Sequence, residues 1–142
     1  MFYITGDTHG DYDIHKLSKA ALNRNNITFT SEDYLIICGD FGLVWDNSSE
    51  ENYWLDWLNK KPCTTLFIDG NHENHNLLNQ MQPISWNGGL VHQIRPKVLH
   101  LMRGQVFNID GTTFFTMGGA DSIDKQYRVP YKSWWPEEMP SD

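Results

Sequence analysis

The sequence predicts an α/β fold built on a parallel sheet, and three observations carry that prediction. Apolar runs of strand length recur at Phe2-Tyr3-Ile4, Tyr34-Leu35-Ile36-Ile37-Cys38 and Leu66-Phe67-Ile68. The spacers between them are long enough for crossover helices, the pattern of βαβ units. Each run ends in a glycine-bearing turn: Gly6-Asp7-Thr8-His9-Gly10, Gly39-Asp40-Phe41-Gly42 and Gly70-Asn71-His72-Glu73. Parallel neighbours would gather the three turns at one sheet edge, where open α/β folds bind their ligands.

Taken in order, Phe2 to Ile4 opens the sheet. Asp11 to Asn26 predicts a helix, with Ile14, Leu17, Ala21 and Leu22 at helical spacing and Asp11 and Asp13 near its positive end. Tyr34 to Cys38 is continuously apolar and suits a central strand buried on both faces. Ser48 or Ser49 can cap a second helix whose apolar stripe is Tyr53, Trp54, Trp57 and Leu58, and Pro62 stops it. Thr64 to Ile68 is the third strand. Asn74 to Met81 predicts a short helix with Leu77, Leu78 and Met81 facing inward, started by Glu73. His15 and His75 then fall on helix surfaces.

The character changes after Pro83. Ser85 to Gly89 reads as a loop. Val98 to Met102, Gln105 to Ile109 and Thr112 to Met117 read as short strands of an antiparallel segment that starts a second sheet, and Asp110-Gly111 is a hairpin signal. Ala120 to Asp142 reads as loop, with Trp134 and Trp135, like Trp45, packing, and with Asp121 and Asp124 solvated.

A chain of 142 residues, residues 1–142, fits one domain able to bury a core. The net charge of −7 argues against non-specific DNA binding, which needs Lys and Arg in excess. It leaves phosphate chemistry open, because bound cations invert the local sign. Cys38 and Cys63 read as small buried thiols of a reducing compartment. No apolar stretch reaches membrane-spanning length and no signal peptide is visible, so no membrane partner and a cytoplasmic location are expected.

The turns carry chemistry. Side chains two apart at a strand end point the same way, so Asp7 and His9 can reach one metal ion. A carboxylate with an imidazole suits manganese, iron, zinc or nickel better than calcium. Asp40 has two oxygens and can bridge two cations, which in such pairs clamp the attacking and leaving oxygens of a displacement. Asn71 offers a neutral carbonyl oxygen to a second cation. Adjacent His72 then faces substrate, where it can protonate a leaving alkoxide. Arg103 and Arg128 are candidate substrate-binding residues, able to hold phosphate by paired hydrogen bonds.

The three motifs together resemble the calcineurin-like metallophosphoesterase superfamily. Met117-Gly118-Gly119-Ala120-Asp121-Ser122-Ile123-Asp124-Lys125 and Trp134-Trp135-Pro136-Glu137-Glu138 are similar to a bacterial and phage-type subgroup of it. The resemblance implies an α/β/β/α sandwich of two sheets flanked by helices. It implies two divalent ions, one on Asp7, His9 and bridging Asp40, the other on Asp40 and Asn71, with His72 assisting the leaving group. The implied reaction is hydrolysis of a phosphomonoester or phosphodiester by a metal-bound hydroxide.

Two departures from the pattern stand out. Phe41-Gly42-Leu43 follows Asp40 where the family usually has another Asp, and Asp46 lies further on. The family's downstream histidines have no counterpart: no histidine follows His100, and His92 and His100 look misplaced as substitutes. The first metal site is therefore expected to be occupied more readily than the second. The chain reads as the N-terminal βαβαβ half plus the start of the second sheet, shortened at its C-terminus, completed by another polypeptide or a natural remnant. An unfinished sheet edge invites self-association. The rival to an enzyme is a non-catalytic metal- or partner-binding module of the same fold.

Overall fold

A computed structural model describes residues 1–141, and Asp142, the end of the expected tail loop, lies outside them. The three expected strands form and pair in parallel: β1 (Phe2–Gly6), β2 (Tyr34–Cys38) and β3 (Thr64–Ile68). Their registers align Gly6 with Cys38 and Cys38 with Ile68, so all three end at one level. That alignment brings the three glycine-bearing turns side by side.

The segment after Pro83 departs from expectation. Ile84–Trp86 (β4) and Gly89–Arg95 (β5) form a hairpin where a loop was expected. Its turn is Asn87-Gly88, with φ of 47° and 93°. Asn-Gly with both φ positive is the preferred two-residue hairpin turn, so the signal was in the sequence. Val98–Leu101 (β6) does not join the second sheet. It pairs parallel with β3 and antiparallel with β5, completing a six-stranded sheet of order β1-β2-β3-β6-β5-β4. Among the described residues, Gln105–Ile109 (β7) and Thr112–Thr116 (β8) alone form the second sheet, a hairpin across Asp110-Gly111.

Strand alternation sorts the core into two layers. Leu35 and Ile37 of β2, with Phe67 of β3, face the helices and pack with Ile14, Leu17, Leu55, Leu58 and Leu78. Ile36 and Leu66 face the other way, against Leu99, Leu101, Phe107 and Ile109, so β7–β8 covers this side of the large sheet. This is a mixed α/β sandwich with the helical layer on one side only of the six-stranded sheet.

The helices also differ in detail. The segment from Asp11 to Asn26 is broken: a 3-10 turn covers Ile14–Leu17, and α1 covers only Lys19–Arg24. Ser18 sits between them in extended backbone and its Oγ accepts from the Ala21 N–H, competing with helix continuation. Helix α2 (Ser49–Asn59) is capped by Ser48 and buries Leu55 and Leu58, while Tyr53 is 61% exposed and leaves the expected stripe. Helix α3 is His75–Gln80, capped by Asn74. His75 is buried rather than on the surface, and Cys38 is exposed at the end of β2, whereas Cys63 is buried. The tail contains two further 3-10 turns, Lys125–Tyr127 and Pro136–Glu138.

Candidate metal centre

Backbone hydrogen bonds lash the turns after β1, β2 and β3 together. The carbonyl of Asp40 accepts from the N–H groups of Thr8 and His9 at 3.1 and 2.9 Å. The Phe41 carbonyl accepts from Gly10 N–H and from the buried Thr8 hydroxyl, both at 2.9 Å. Fully buried Glu73 reaches back from the third turn, its Oε1 accepting from the N–H of Phe41 at 2.6 Å and of Gly42 at 3.3 Å. The turns pack so closely that a Cβ at Gly70 would lie 2.5 Å from the Asp40 backbone nitrogen. One at Gly42, whose φ is 72°, would lie within the backbone of Gly10.

This frame gathers metal-capable atoms from all three turns. One ligand atom each from His9, Asp40 and His72 lie within 4.8 Å of one another. His9 Nε2 is 3.8 Å from Asp7 Oδ2 and 3.7 Å from Asp40 Oδ2. Donors each about 2.1 Å from one ion lie up to about 4.2 Å apart, so these separations fit a shared cation. His9 and Asp40 both hold positive φ, 45° and 34°, a sparsely used region for residues other than glycine and one that clusters at functional sites. Burial pushes the Asp40 carboxyl up, but hydrogen bonds from His72 and the nearness of both imidazoles outweigh it and hold the group below the ordinary carboxylate range. It is therefore a carboxylate, the form a cation needs.

A family model described as calcineurin-like phosphoesterase matches residues 1–142. The chain belongs to that family. No curated protein and no solved structure gives a significant match. The six-stranded mixed sheet and the small second sheet fit a partial calcineurin-like fold. The family is one of phosphoesterases that typically bind divalent metals, and the cluster of His9, Asp40 and His72 is a possible site for one.

The other candidate residues separate into those at this centre and those away from it. Asn71 stands in the third turn and its Nδ2 donates to Ser122 Oγ at 3.0 Å. Arg128 lies at the centre, its Nη2 2.7 Å from His72 Nε2, held from behind by Asp124 at 2.8 Å. Arg103 goes elsewhere: buried Asp69 binds its guanidinium through Nε at 2.8 Å and through Nη2, and its Nη1 donates to the Glu137 carbonyl. His92 and His100 are also away from the centre. Their Nδ1 atoms are 3.0 Å apart, and His100 Nε2 is 3.0 Å from Asp69 Oδ1. Burial works against the Asp69 charge, yet His100 and Arg103 bring its carboxyl down to about 2.

A cleft of about 760 Å³ opens beside His9 and His72, walled by Tyr12, Leu43, Trp45 and Trp54. No lysine or arginine lines it. Trp135 is buried edge-on to Trp45 at 5.2 Å, so it packs as expected.

Sequence reasoning missed the supports. Glu73 looked like a helix start and is instead the clamp on the second turn. Asp69 directly precedes the third motif, and an acid inside an apolar strand end is the one signal that could have marked it as buried and paired. Nothing local marked Ser122 or Glu138 as buried.

Proposed function

We propose that this chain is a metal-dependent phosphoester hydrolase, acting on a phosphomonoester or phosphodiester at the edge formed by the three turns. The observation that carries the reading is the convergence of His9, Asp40 and His72 from three separate strand ends, with Asp7 beside His9. Asp7, His9 and Asp40 would hold one divalent ion, and Asp40 and Asn71 a second. Bound there, such ions activate water and neutralise charge on the phosphoryl group.

The chain's own residues have distinct parts. Asp40 accepts from the His72 backbone N–H at 2.9 Å and lies 2.7 Å from its Nδ1. Arg128 can only donate, so His72 Nε2 accepts from it and Nδ1–H points to Asp40. Before His72 can deliver a proton from Nε2, the guanidinium must leave that lone pair. A phosphoryl oxygen gives Arg128 a stronger, charge-assisted partner. Binding of the anion would thus free His72 Nε2 to take up a proton from solvent, giving the imidazolium, and pass that proton to the leaving alcohol. The aromatic walls of the adjacent cleft suit the organic part of the ester, and the lack of lysine and arginine among its lining residues disfavours a polyanionic one.

The test is hydrolysis of p-nitrophenyl phosphate and bis(p-nitrophenyl) phosphate with added Mn²⁺, for the protein and for Asp40→Ala. Activity that requires the cation and disappears in Asp40→Ala supports the reading. No turnover at any cation concentration favours the rival, a non-catalytic binding module. The second ion's short ligand set, Asp40 and Asn71 without a downstream histidine, is the feature that favours this rival.

A further inference from the structure

The polar groups of the tail form a chain that ends at the candidate centre. Glu138 is fully buried in the Pro136–Glu138 turn. Its Oε1 accepts from the Ser122 N–H at 2.8 Å and lies 3.7 Å from Lys125 Nζ. Its Oε2 is 2.6 Å from Ser122 Oγ. Ser122 is itself buried, and its Oγ is 3.0 Å from Asn71 Nδ2.

Donor and acceptor counting makes this chain directional. With a lysine beside it and two donors on it, Glu138 is an acceptor only. The Ser122 hydroxyl proton must then point to Glu138. That leaves the Ser122 oxygen free only to accept, so the Asn71 NH₂ must face Ser122. The amide carbonyl, the end of Asn71 a cation can use, is turned to the opposite side. An Asn amide at an exposed turn has no such preference, since its two ends are alike in size. Burial pushes the Glu138 carboxyl up, but the Ser122 bonds outweigh it and keep the group below its ordinary range, in line with this assignment.

We infer that Ser122 and Glu138 are positioning residues that fix the orientation of the Asn71 amide, presenting its carbonyl oxygen to the second divalent ion. This rests on the hydrolase reading above and adds to it. It also gives the tail, 51 residues from Asn71 at Ser122, a part in the centre.

Three variants test it. Ser122→Ala removes the link, and Ser122→Thr restores the hydroxyl. Glu138→Gln reverses the chain: with its carbonyl on the Ser122 N–H, the Gln NH₂ donates to Ser122 Oγ, and the hydroxyl proton turns toward Asn71. Two readouts are used. Calorimetric titration with Mn²⁺ should give two binding events in the wild type. The weaker should lose roughly 10- to 100-fold in affinity in Ser122→Ala and Glu138→Gln, the usual effect of removing an outer-shell partner, while the tighter is retained and Ser122→Thr recovers both. In the cation-free protein, the ¹⁵N-resolved Asn71 side-chain amide signals should move in Ser122→Ala and Glu138→Gln and return in Ser122→Thr. Folded variants, by thermal melt, with unshifted Asn71 signals and wild-type Mn²⁺ affinities would overturn the inference alone. A wild type that binds fewer than two Mn²⁺ ions would overturn the dinuclear reading and the positioning role with it.

Discussion

Asp40 and His72 are joined twice: one Asp40 oxygen accepts from the His72 backbone N–H at 2.9 Å and the other lies 2.7 Å from the imidazole Nδ1. The first contact fixes the third turn against the second. The second sets the ring so that Nε2 looks outward, past Arg128. Position and chemistry of His72 are thus set by one carboxylate, which is also the residue expected to be shared by both ions.

If His72 delivers a proton to the leaving alcohol, its importance depends on that alcohol. His72→Ala should lower kcat on an alkyl phosphate by roughly 10²- to 10⁴-fold, the range for a general acid. The loss should be much smaller on p-nitrophenyl phosphate, whose phenolate leaves without help. Steady-state kinetics on both esters measures the difference. Equal losses on the two would remove the proton-delivery role and leave His72 as a structural partner of Asp40.

Glu73 holds the second turn in place. Burial carries its carboxyl well above the ordinary range, the nearby Asp69 and Asp40 charges push it the same way, and the Phe41 and Gly42 N–H bonds only partly oppose them. A native carboxyl that stays protonated contributes stability below its unfolded value of 4.5, and that contribution is lost as pH rises. Glu73→Gln, neutral at every pH, should therefore gain on the wild type as pH rises above 4.5 in urea unfolding. Glu73→Ala leaves the Phe41 and Gly42 N–H groups unpaired and should cost about 2–4 kcal/mol at neutral pH. A Glu73→Gln variant whose stability tracks the wild type across that range would contradict the raised carboxyl.

The first half of the fold was legible because its signals are local. Apolar runs mark β1, β2 and β3, and the strand-end glycines mark the turns, so Asp7, His9, Asp40, Asn71 and His72 could be named without coordinates. Gly70 could be noted but not explained, since its reason is the Asp40 backbone lying against it. The β4–β5 hairpin was missed although Asn87-Gly88 announces it, because Trp86 and Leu90 flank it without clean alternation. The parallel placement of β6 beside β3 was not legible at all: Val98 to Leu101 is buried throughout, so its pattern says nothing about direction. Arg103 and Arg128 look alike in sequence. What separates them is which carboxylate lies behind each, Asp69 or Asp124, and that is a tertiary fact.

Away from the centre, His92 and His100 make the protein's acid sensitivity predictable. Asp69 accepts from His100 Nε2–H, which in a neutral ring leaves Nδ1 bare to accept from His92 Nδ1–H. Burial first, and then the His100 charge, lowers His92 to about 4, with Asp69 opposing. Arg103, His75, Asp69 and Glu137 line the same cavity of about 600 Å³. The unfolded chain takes up the His92 proton near 6.5, the native chain only near 4, so the unfolded state binds more protons between those values. The His92 contribution to the stability of the cation-free protein should therefore fall on acidification through that window, by about 3 kcal/mol in all, at no more than about 1.4 kcal/mol per pH unit. Asp69 works in a separate window: its contribution is present above 3.8 and is lost as pH falls toward 2. His92→Gln keeps a donor for His100 but does not titrate. The wild-type urea-unfolding free energy should therefore fall relative to that of His92→Gln from pH 6.5 to 4, since buried His75, also lowered, and Glu73, raised, titrate in both proteins and cancel from the difference. Wild-type and variant curves running parallel from pH 6.5 to 4 would show that His92 is not the group responsible.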